Sequence, residues 1–586
     1  PDASSFPSGG LRATFEARGY TAWDSSSPAF IKRSKNGATL CIPTAFYSYN
    51  GEALDKKTPL LRSINFLSGQ VKRLADIFGI EGEERIYTTL GAEQEYFLID
   101  RKYYEKRIDL LQTSRTLFGK EPAKHQQMSD HYFGAIKSRV VDFMDDLDRT
   151  MWELGIPAKT RHNEVCPGQF EVAPVYEELN LAVDHNMLTM ELLHQVAHCH
   201  GFKCLLHEKP FEGVNGSGKH NNWALVGPDG KNWLSPGDTP HENTKFLAII
   251  IALIAGIDKY AGLMRAAVAT AGNDHRLGGY EAPPAIMSIF LGGQLTDIIS
   301  QIESGSLESS TETGMLEPEI YSMPELMKDV TDRNRTSPFA FTGDKFEFRT
   351  VGSNQNCAGP CTSINMILAA SLQDLCDDIE GRLEESSKLN EVLIEVFQEK
   401  IKKHKRVLFN GNNYSQDWIK EAKKRKLPHY KSTLEALEVY KDPEIIELFS
   451  KTGVLSPREV KARYEIYKDQ YRMIIQIEAG VMVDMARTVI LPEVLKYQDR
   501  VARTVDNVTR QGGSANNARK LLLDISDLSE KLSDNIMLLE RALERGDTAQ
   551  IKEEMINLRR PADKLEGLLP RSAWPLPSYA DMMFKM

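Results

Sequence analysis

Apolar and polar positions fall into three regimes along the chain. From residue 1 to about 85 short extended runs such as 38–47 stand beside one helix-periodic run at 61–78, a pattern that predicts a small α+β domain. From about 86 to 375 strand-like alternation dominates, with amphipathic helices between the strands, notably over 181–199 and 243–264. Beyond 376 the pattern is helical almost throughout, broken at 410–414 and at the Gly-rich 511–517. Within that last part Ile525, Leu528, Leu532, Ile536 and Leu539 follow three-and-four spacing, the seam of a packed helix. The expected division is therefore 1–85, 86–375 and 376–586. The longest apolar stretch, 246–256, is shorter than the ~20 residues that span a bilayer and predicts a buried helix. The acidic, Ser-rich stretch 303–314 predicts an exposed loop, and no internal repeat is evident.

The balance of 586 residues, 41% hydrophobic and 26% charged, is that of a soluble globular protein of several domains. The net charge is -10 and no basic run is long enough to track a phosphate backbone, so nucleic acid is not an expected partner. Seven cysteines in this length point to reduced thiols. Neither Cys357 with Cys361 nor His194, His198 and Cys199 has the paired spacing of a zinc site. The chain opens Pro-Asp-Ala-Ser, without Met or a signal pattern, so it reads as lacking its original start.

Chemistry concentrates in the middle regime. In RHNEVCPGQFEV, Glu164 and Glu171 flank Pro167-Gly168, a pair suited to the centre of a type II turn. A symmetric hairpin there sets the two carboxylates opposite one another, where like charges repel unless something positive sits between them. A divalent cation fills that place; a solvated hairpin with splayed glutamates is the alternative. In LGAEQEYFLID, Glu93 and Glu95 share one strand face. In KFEFRT, Lys345, Glu347 and Arg349 alternate with Phe346 and Phe348, so the strand presents charge on one side and aromatic surface on the other. Each strand alone also fits an exposed sheet face. The loop KPFEGVNGSGKHNNW brings glycines and His220, suited to an anion or a metal, or to a tight structural turn. Arg276, Arg335 and Arg349 are candidates to balance a negatively charged substrate, with surface salt bridges as the alternative.

The ordered set AEQEYF, NEVCPGQFE, NGSGKH, RLGGYEAPPA, NRTSPFAF and KFEFR resembles glutamine synthetase, most closely the large type III form, from about Trp23 to Arg349. The resemblance implies an α+β fold with a small N-terminal β-grasp-like domain, a curved antiparallel sheet forming an active-site funnel, and a long helical C-terminal region. It implies ATP-dependent ligation of ammonia to glutamate through a γ-glutamyl phosphate, with two or three magnesium or manganese ions. One metal falls to Glu95, Glu164 and Glu171 and the second to Glu93, His220 and Glu347. Arg335 and Arg349 stabilise charge during transfer, and Arg276 holds the substrate carboxylate beside Asn215 and Gly216. Glu164 also borders the substrate, and Glu281 closes a flap over the intermediate. The nucleotide falls to His220, Asn222, Arg335 and Lys345. Asp24, in AWDSSSP, matches the family's ammonium base contributed by a neighbouring subunit, and Tyr132 matches an ammonium-site tyrosine. A homododecamer of two hexameric rings is implied, in the cytoplasm or, for an algal source, a plastid. Three departures stand out. The flap is one residue shorter between Arg276 and Glu281 than in the commonest members, Asn222 replaces a second histidine, and Ala340 replaces an arginine. A sister ligase using another amine, and a non-catalytic ring-forming relative, are the other readings.

Overall fold

The computed structural model describes residues 19–82, 84–305, 336–385 and 388–585, and the backbone of 315–316 and 326–327. Arg335 and most of the predicted acidic loop lie outside the described residues. The start of that stretch is helical: Gly292–Ser304 is a helix, capped by Gly305 in a left-handed conformation at φ 83°.

The expected α+β class is the one observed. A nine-stranded sheet forms the centre, running Ile289–Phe290, Phe339–Phe341, Phe346–Phe348, Lys219–Val226, Tyr87–Asp100, Gln169–Pro174 and Ala158–Asn163, with Glu177–Glu178 and Phe202–Leu205 also paired to the long strand Tyr87–Asp100. Its pairs are antiparallel, as expected, apart from Ile289–Phe290 on Phe339–Phe341, a parallel pair that makes the sheet mixed at one edge. The helix Gly292–Ser304 follows directly on Ile289–Phe290, and the chain returns to the neighbouring strand in the same direction.

Alternation along the long strand divides its two faces. Tyr96 and Leu98 are buried with Phe170 and Val172 beneath helices Ser138–Glu153 and Leu179–Cys199. Further along the sheet Trp223, Phe339, Phe346 and Phe348 sink into a core built around helix Thr244–Ala267. That helix has 24 residues and apolarity enough to span a membrane by composition, but 89% of its 18-residue apolar stretch is buried inside the protein. Glu93 and Glu95 stand on the opposite face.

N-terminal to the sheet lie two antiparallel pairs, Gly19–Trp23 with Thr44–Ser48 and Phe30–Ser34 with Gly37–Cys41, followed by helix Lys57–Ile77. That helix shares the sheet's cores through Leu60, Ile64, Leu67, Val71 and Leu74. The C-terminal third is helical, and the predicted seam is real: Ile525, Leu532, Ile536 and Leu539 are buried, with Leu528 packed against them. All seven cysteines are free, five of them buried.

Candidate active site

Strand register gathers the predicted ligands on one sheet face. Residues directly opposite on antiparallel strands point the same way, and the opposed pairs here are His220 with Glu93, Asn222 with Glu347, Glu95 with Glu171, and His162 with Glu171. Two groups result, each with ligand atoms within 4.8 Å of one another: Glu93, His220 and Glu347, and His162, Glu164 and Glu171.

In the first, His220 Nδ1 lies 3.1 Å from Glu347 Oε1 and 3.3 Å from Glu93 Oε2. Arg349 donates to the other Glu347 oxygen at 3.0 Å, and Asn222 donates to Glu93 at 2.9 Å. In the second, His162 Nε2 lies 3.0 Å from Glu171 Oε1, and its Nδ1 3.6 Å from Glu164 Oε1. Glu95 stands between the groups. It faces Glu171 across the strands, lies 4.0 Å from His220 Nε2, and accepts from the Gly218 amide.

The hairpin differs from the symmetric one expected. Cys166 accepts from the Gln169 amide, with Pro167 and Gly168 (φ 83°) at the central positions, so the predicted type II turn forms. Type II geometry splays strands joined by a two-residue loop. The ladder instead closes from the Glu164 amide to the Gln169 carbonyl at 2.9 Å, leaving a four-residue loop, and the register moves by two. His162, not Glu164, therefore opposes Glu171, and the positive neighbour demanded by the repulsion argument is an imidazole. Sequence reasoning missed His162. Its signal was the spacing His162-x-Glu164, which places both on one strand face.

The donor set fits divalent cations. Glu164 is fully buried and neither of its carboxylate oxygens has a hydrogen-bond partner, and one Glu171 oxygen is in the same state. Burial, then Glu95 and Glu171, push the Glu164 carboxyl well above the usual carboxylate range. Hard cations would supply the missing partner. In the metal-free protein burial alone would pull His220 down, but Glu347 and Glu93 outweigh it and raise it to about 10; the hydrogen bond to Glu171 raises His162 to about 9. A histidine whose folded value exceeds its unfolded one, about 6.5, gives stability that is whole below that pH and lost as pH climbs through the folded value. The raised Glu164 and Glu171 act in the same direction above their ordinary range. The metal-free protein should therefore lose melting temperature steadily as pH rises from about 6.5 towards 10, and saturating Mn2+ should flatten the slope. Scanning calorimetry over that range checks this, and a flat metal-free profile contradicts it.

The remaining predicted residues are placed as follows. Arg276 is 2% exposed, its guanidinium donating to the Arg349 carbonyl at 3.0 Å and the Val351 carbonyl at 3.3 Å. The glycines of the loop serve it as much as any anion. A Cβ on Gly218 would lie 2.1 Å from Arg276 Nη2, and one on Gly216 would lie 2.6 Å from the Glu208 carbonyl oxygen. Asn215 donates to Glu281 at 3.4 Å, which brings the flap acid to the loop. Tyr280 and Glu281 hold positive φ, 26° and 57°, a strained backbone for side chains of this size. Tyr132 packs edge-on to His162 with centroids 5.9 Å apart. Lys345 is paired with Asp344 at 3.7 Å, and among the described residues no ion pair joins it to either cluster. Asp24 is held within its own chain: Lys57 at 2.8 Å, Asn180 at 2.7 Å and Ser26 bind its carboxylate. Burial would raise it, but these partners, Lys57 foremost, hold it down at about 2.

Comparison with known proteins gives this arrangement a family. Residues 1–63 match the glutamine synthetase type III N-terminal region, 72–287 the glutamine synthetase catalytic domain, and 392–509 the glutamine synthetase C-terminal domain. The type-3 glutamine synthetase of Dictyostelium discoideum is 45% identical over 603 residues, spanning 100% of this chain and 82% of that protein. The chain belongs to the type III glutamine synthetase family. The glutamine synthetase of Bacteroides fragilis is 41% identical over 607 residues, again covering 100% of this chain and 82% of that protein. A cryo-EM structure of Plasmodium falciparum glutamine synthetase aligns with 80% of this chain at 15% identity, covering 86% of that chain with a TM-score of 0.49. The stretch matched to the glutamine synthetase catalytic domain ends at 287, yet in this type III chain the strand Phe346–Phe348 completes the first ligand group with Glu347.

Proposed function

We propose that the chain ligates ammonia to L-glutamate with ATP, giving L-glutamine, ADP and phosphate through γ-glutamyl phosphate, and so serves nitrogen assimilation. The observation that carries this reading is the pair of carboxylate–imidazole groups on one sheet face, joined by Glu95. Two or three magnesium or manganese ions held there by Glu93, Glu95, Glu164, Glu171, His220 and Glu347 would neutralise the transferring phosphoryl group.

The chain's own residues supply the rest. Arg349, fixed against Glu347, aims a permanent positive charge at the γ-phosphate. Arg276 balances the carboxylate of glutamate beside Asn215 and Gly216. Glu281 closes over the acyl phosphate and excludes water, which would otherwise hydrolyse it. The sequence resemblance adds Arg335 to charge stabilisation, and Lys345 and Asn222 to the nucleotide side.

Asp24, supplied by a second copy in a ring assembly, forms the ammonium subsite with Tyr132. Tied to Lys57, it is a weak base, so its first role is as an anion that holds ammonium. Asp24→Ala should raise KM for ammonium by about 10- to 100-fold with the ATP KM nearly unchanged. Hydroxylamine is neutral at physiological pH and has no need of an anion, so Asp24→Ala should still make γ-glutamyl hydroxamate and ADP in equal amounts. Unchanged ammonium kinetics would remove Asp24 from the mechanism, and absence of hydroxamate from wild type would count against the acyl phosphate.

A further inference from the structure

The face of strand Tyr87–Asp100 that carries Glu93 and Glu95 continues with Phe97 and Ile99. These two are sealed by the far C-terminus: Tyr579, Met582 and Met583 of helix Tyr579–Phe584 are buried in one cluster with Phe97, Ile99, Cys166, Phe211 and Val214. Cys166 sits in the turn between Glu164 and Glu171, and Val214 adjoins Asn215. Three pieces that carry site residues therefore rest on one six-residue helix.

Tyr579 makes the directional contacts. Its hydroxyl lies 2.7 Å from Thr116 Oγ1, accepts from Arg559 at 2.8 Å, and accepts from the Glu212 amide at 3.3 Å. Its ring stacks edge-on against Phe211 with centroids 5.2 Å apart. It also fills the space beside Gly119, where a Cβ would come within 2.1 Å of the ring. Both segments gripped in this way run into the site. Beyond Glu212 come Val214, whose carbonyl accepts from Lys209, and Asn215, whose amide donates to Gln126 at 2.7 Å. Lys209 in turn lies 5.5 Å from the ring of the flap's Tyr280. Beyond Gly119 come Gln126 and His131, and His131 donates to the Glu164 carbonyl at 2.6 Å. Both ends of the helix are held too: Lys137 donates to the Phe584 carbonyl at 3.2 Å, and Arg107 to the carbonyl of Pro577, just before the helix, at 2.8 Å.

We infer that the C-terminal helix Tyr579–Phe584 is a positioning element of the active site, with Tyr579 setting the placement of the metal hairpin and of the Asn215 loop. It rests on the function proposed above only for its kinetic readouts. The hydroxyl touches no ligand itself. It fixes the backbone on which the ligands stand, as supporting residues around metal sites do.

Tyr579→Phe keeps the packing and removes three polar contacts. In the full-length assembled protein it should weaken Mn2+ binding, measured by calorimetry, and raise KM for glutamate, each by about three- to tenfold. KM for ATP should stay within about twofold, because His220 and Asn222 of its predicted contacts lie on strand Lys219–Val226, outside the cluster this helix joins. Gly119→Ala, which pushes on the ring and also strains a backbone held at φ 154°, should give the same pattern in Mn2+ affinity and KM with a larger loss of melting temperature. The double variant should shift no further than the larger single one, the mark of two changes acting through one contact. A lower melting temperature with unchanged Mn2+ affinity and unchanged KM values would make the helix a stabiliser alone and overturn the inference, as would fully additive effects. If wild type forms no glutamine, the function reading fails while the Mn2+ titration still decides the role of Tyr579.

Discussion

Glu164→Gln is expected to melt higher than wild type without metal and to be nearly inactive with it. Glutamine keeps the shape of the side chain and removes a carboxylate that is buried among Glu95 and Glu171 without a hydrogen-bond partner. Relief of a buried carboxylate crowded by two others stabilises by about 1–3 kcal/mol, and the gain should grow with pH as the wild-type acid is pushed towards ionisation. The same change removes a ligand. The metal concentration for half-maximal activity should rise by about 10- to 100-fold, and kcat should fall by about 10²- to 10³-fold, the usual scale for losing one charge-stabilising group. Calorimetric melting with and without Mn2+, together with metal-dependent rates, separates the two effects. A variant that melts lower without metal, or one that keeps the wild-type metal requirement, would mean that Glu164 is a structural acid.

Gly218→Ala should damage glutamate use more than ATP use. The added methyl would lie 2.1 Å from Arg276 Nη2 and 2.7 Å from Cζ, so the buried guanidinium must shift away from the Arg349 and Val351 carbonyls that hold it. The same residue's amide holds Glu95. Displacing the guanidinium and disturbing that contact should lower kcat/KM for glutamate by about 10²- to 10³-fold, or about 3–4 kcal/mol of transition-state binding. KM for ATP should stay within about threefold, since Arg276 is assigned to the amino acid. Initial rates with each substrate varied in turn check this. Equal losses for both substrates would show that Gly218 serves the whole site and not Arg276.

What the sequence carried locally, the fold kept. The Pro167-Gly168 turn, the alternation of Phe346 and Phe348 against Glu347, and the seam through Ile525 and Leu539 all depend on neighbours a few residues apart, and all formed. The faces taken by Glu93 and Glu347 were readable because period-two spacing fixes which side of a strand a side chain takes, whereas their grouping with His220 came from the family resemblance. Register was not readable. Whether His162 or Glu164 opposes Glu171 depends on how a type II turn meets strand twist, and a shift of two residues keeps the face while changing the partner. The role of Gly218 was half seen. Its freedom was expected to serve an anion, but the close neighbour is Arg276, 58 positions away in sequence. Tyr579 gave no signal, because its contacts to Thr116, Glu212 and Gly119 are made across the whole chain. Pairings of that kind belong to tertiary packing and leave no trace in local spacing.

The most direct test of the account is phosphate release from ATP with magnesium, with glutamate and ammonium added separately and then together, and glutamine measured in the same samples. Equal amounts of phosphate and glutamine, formed only when both are present, are the predicted result. Phosphate that appears only when a different amine replaces ammonium, or none at all from a fully assembled oligomer, would contradict it.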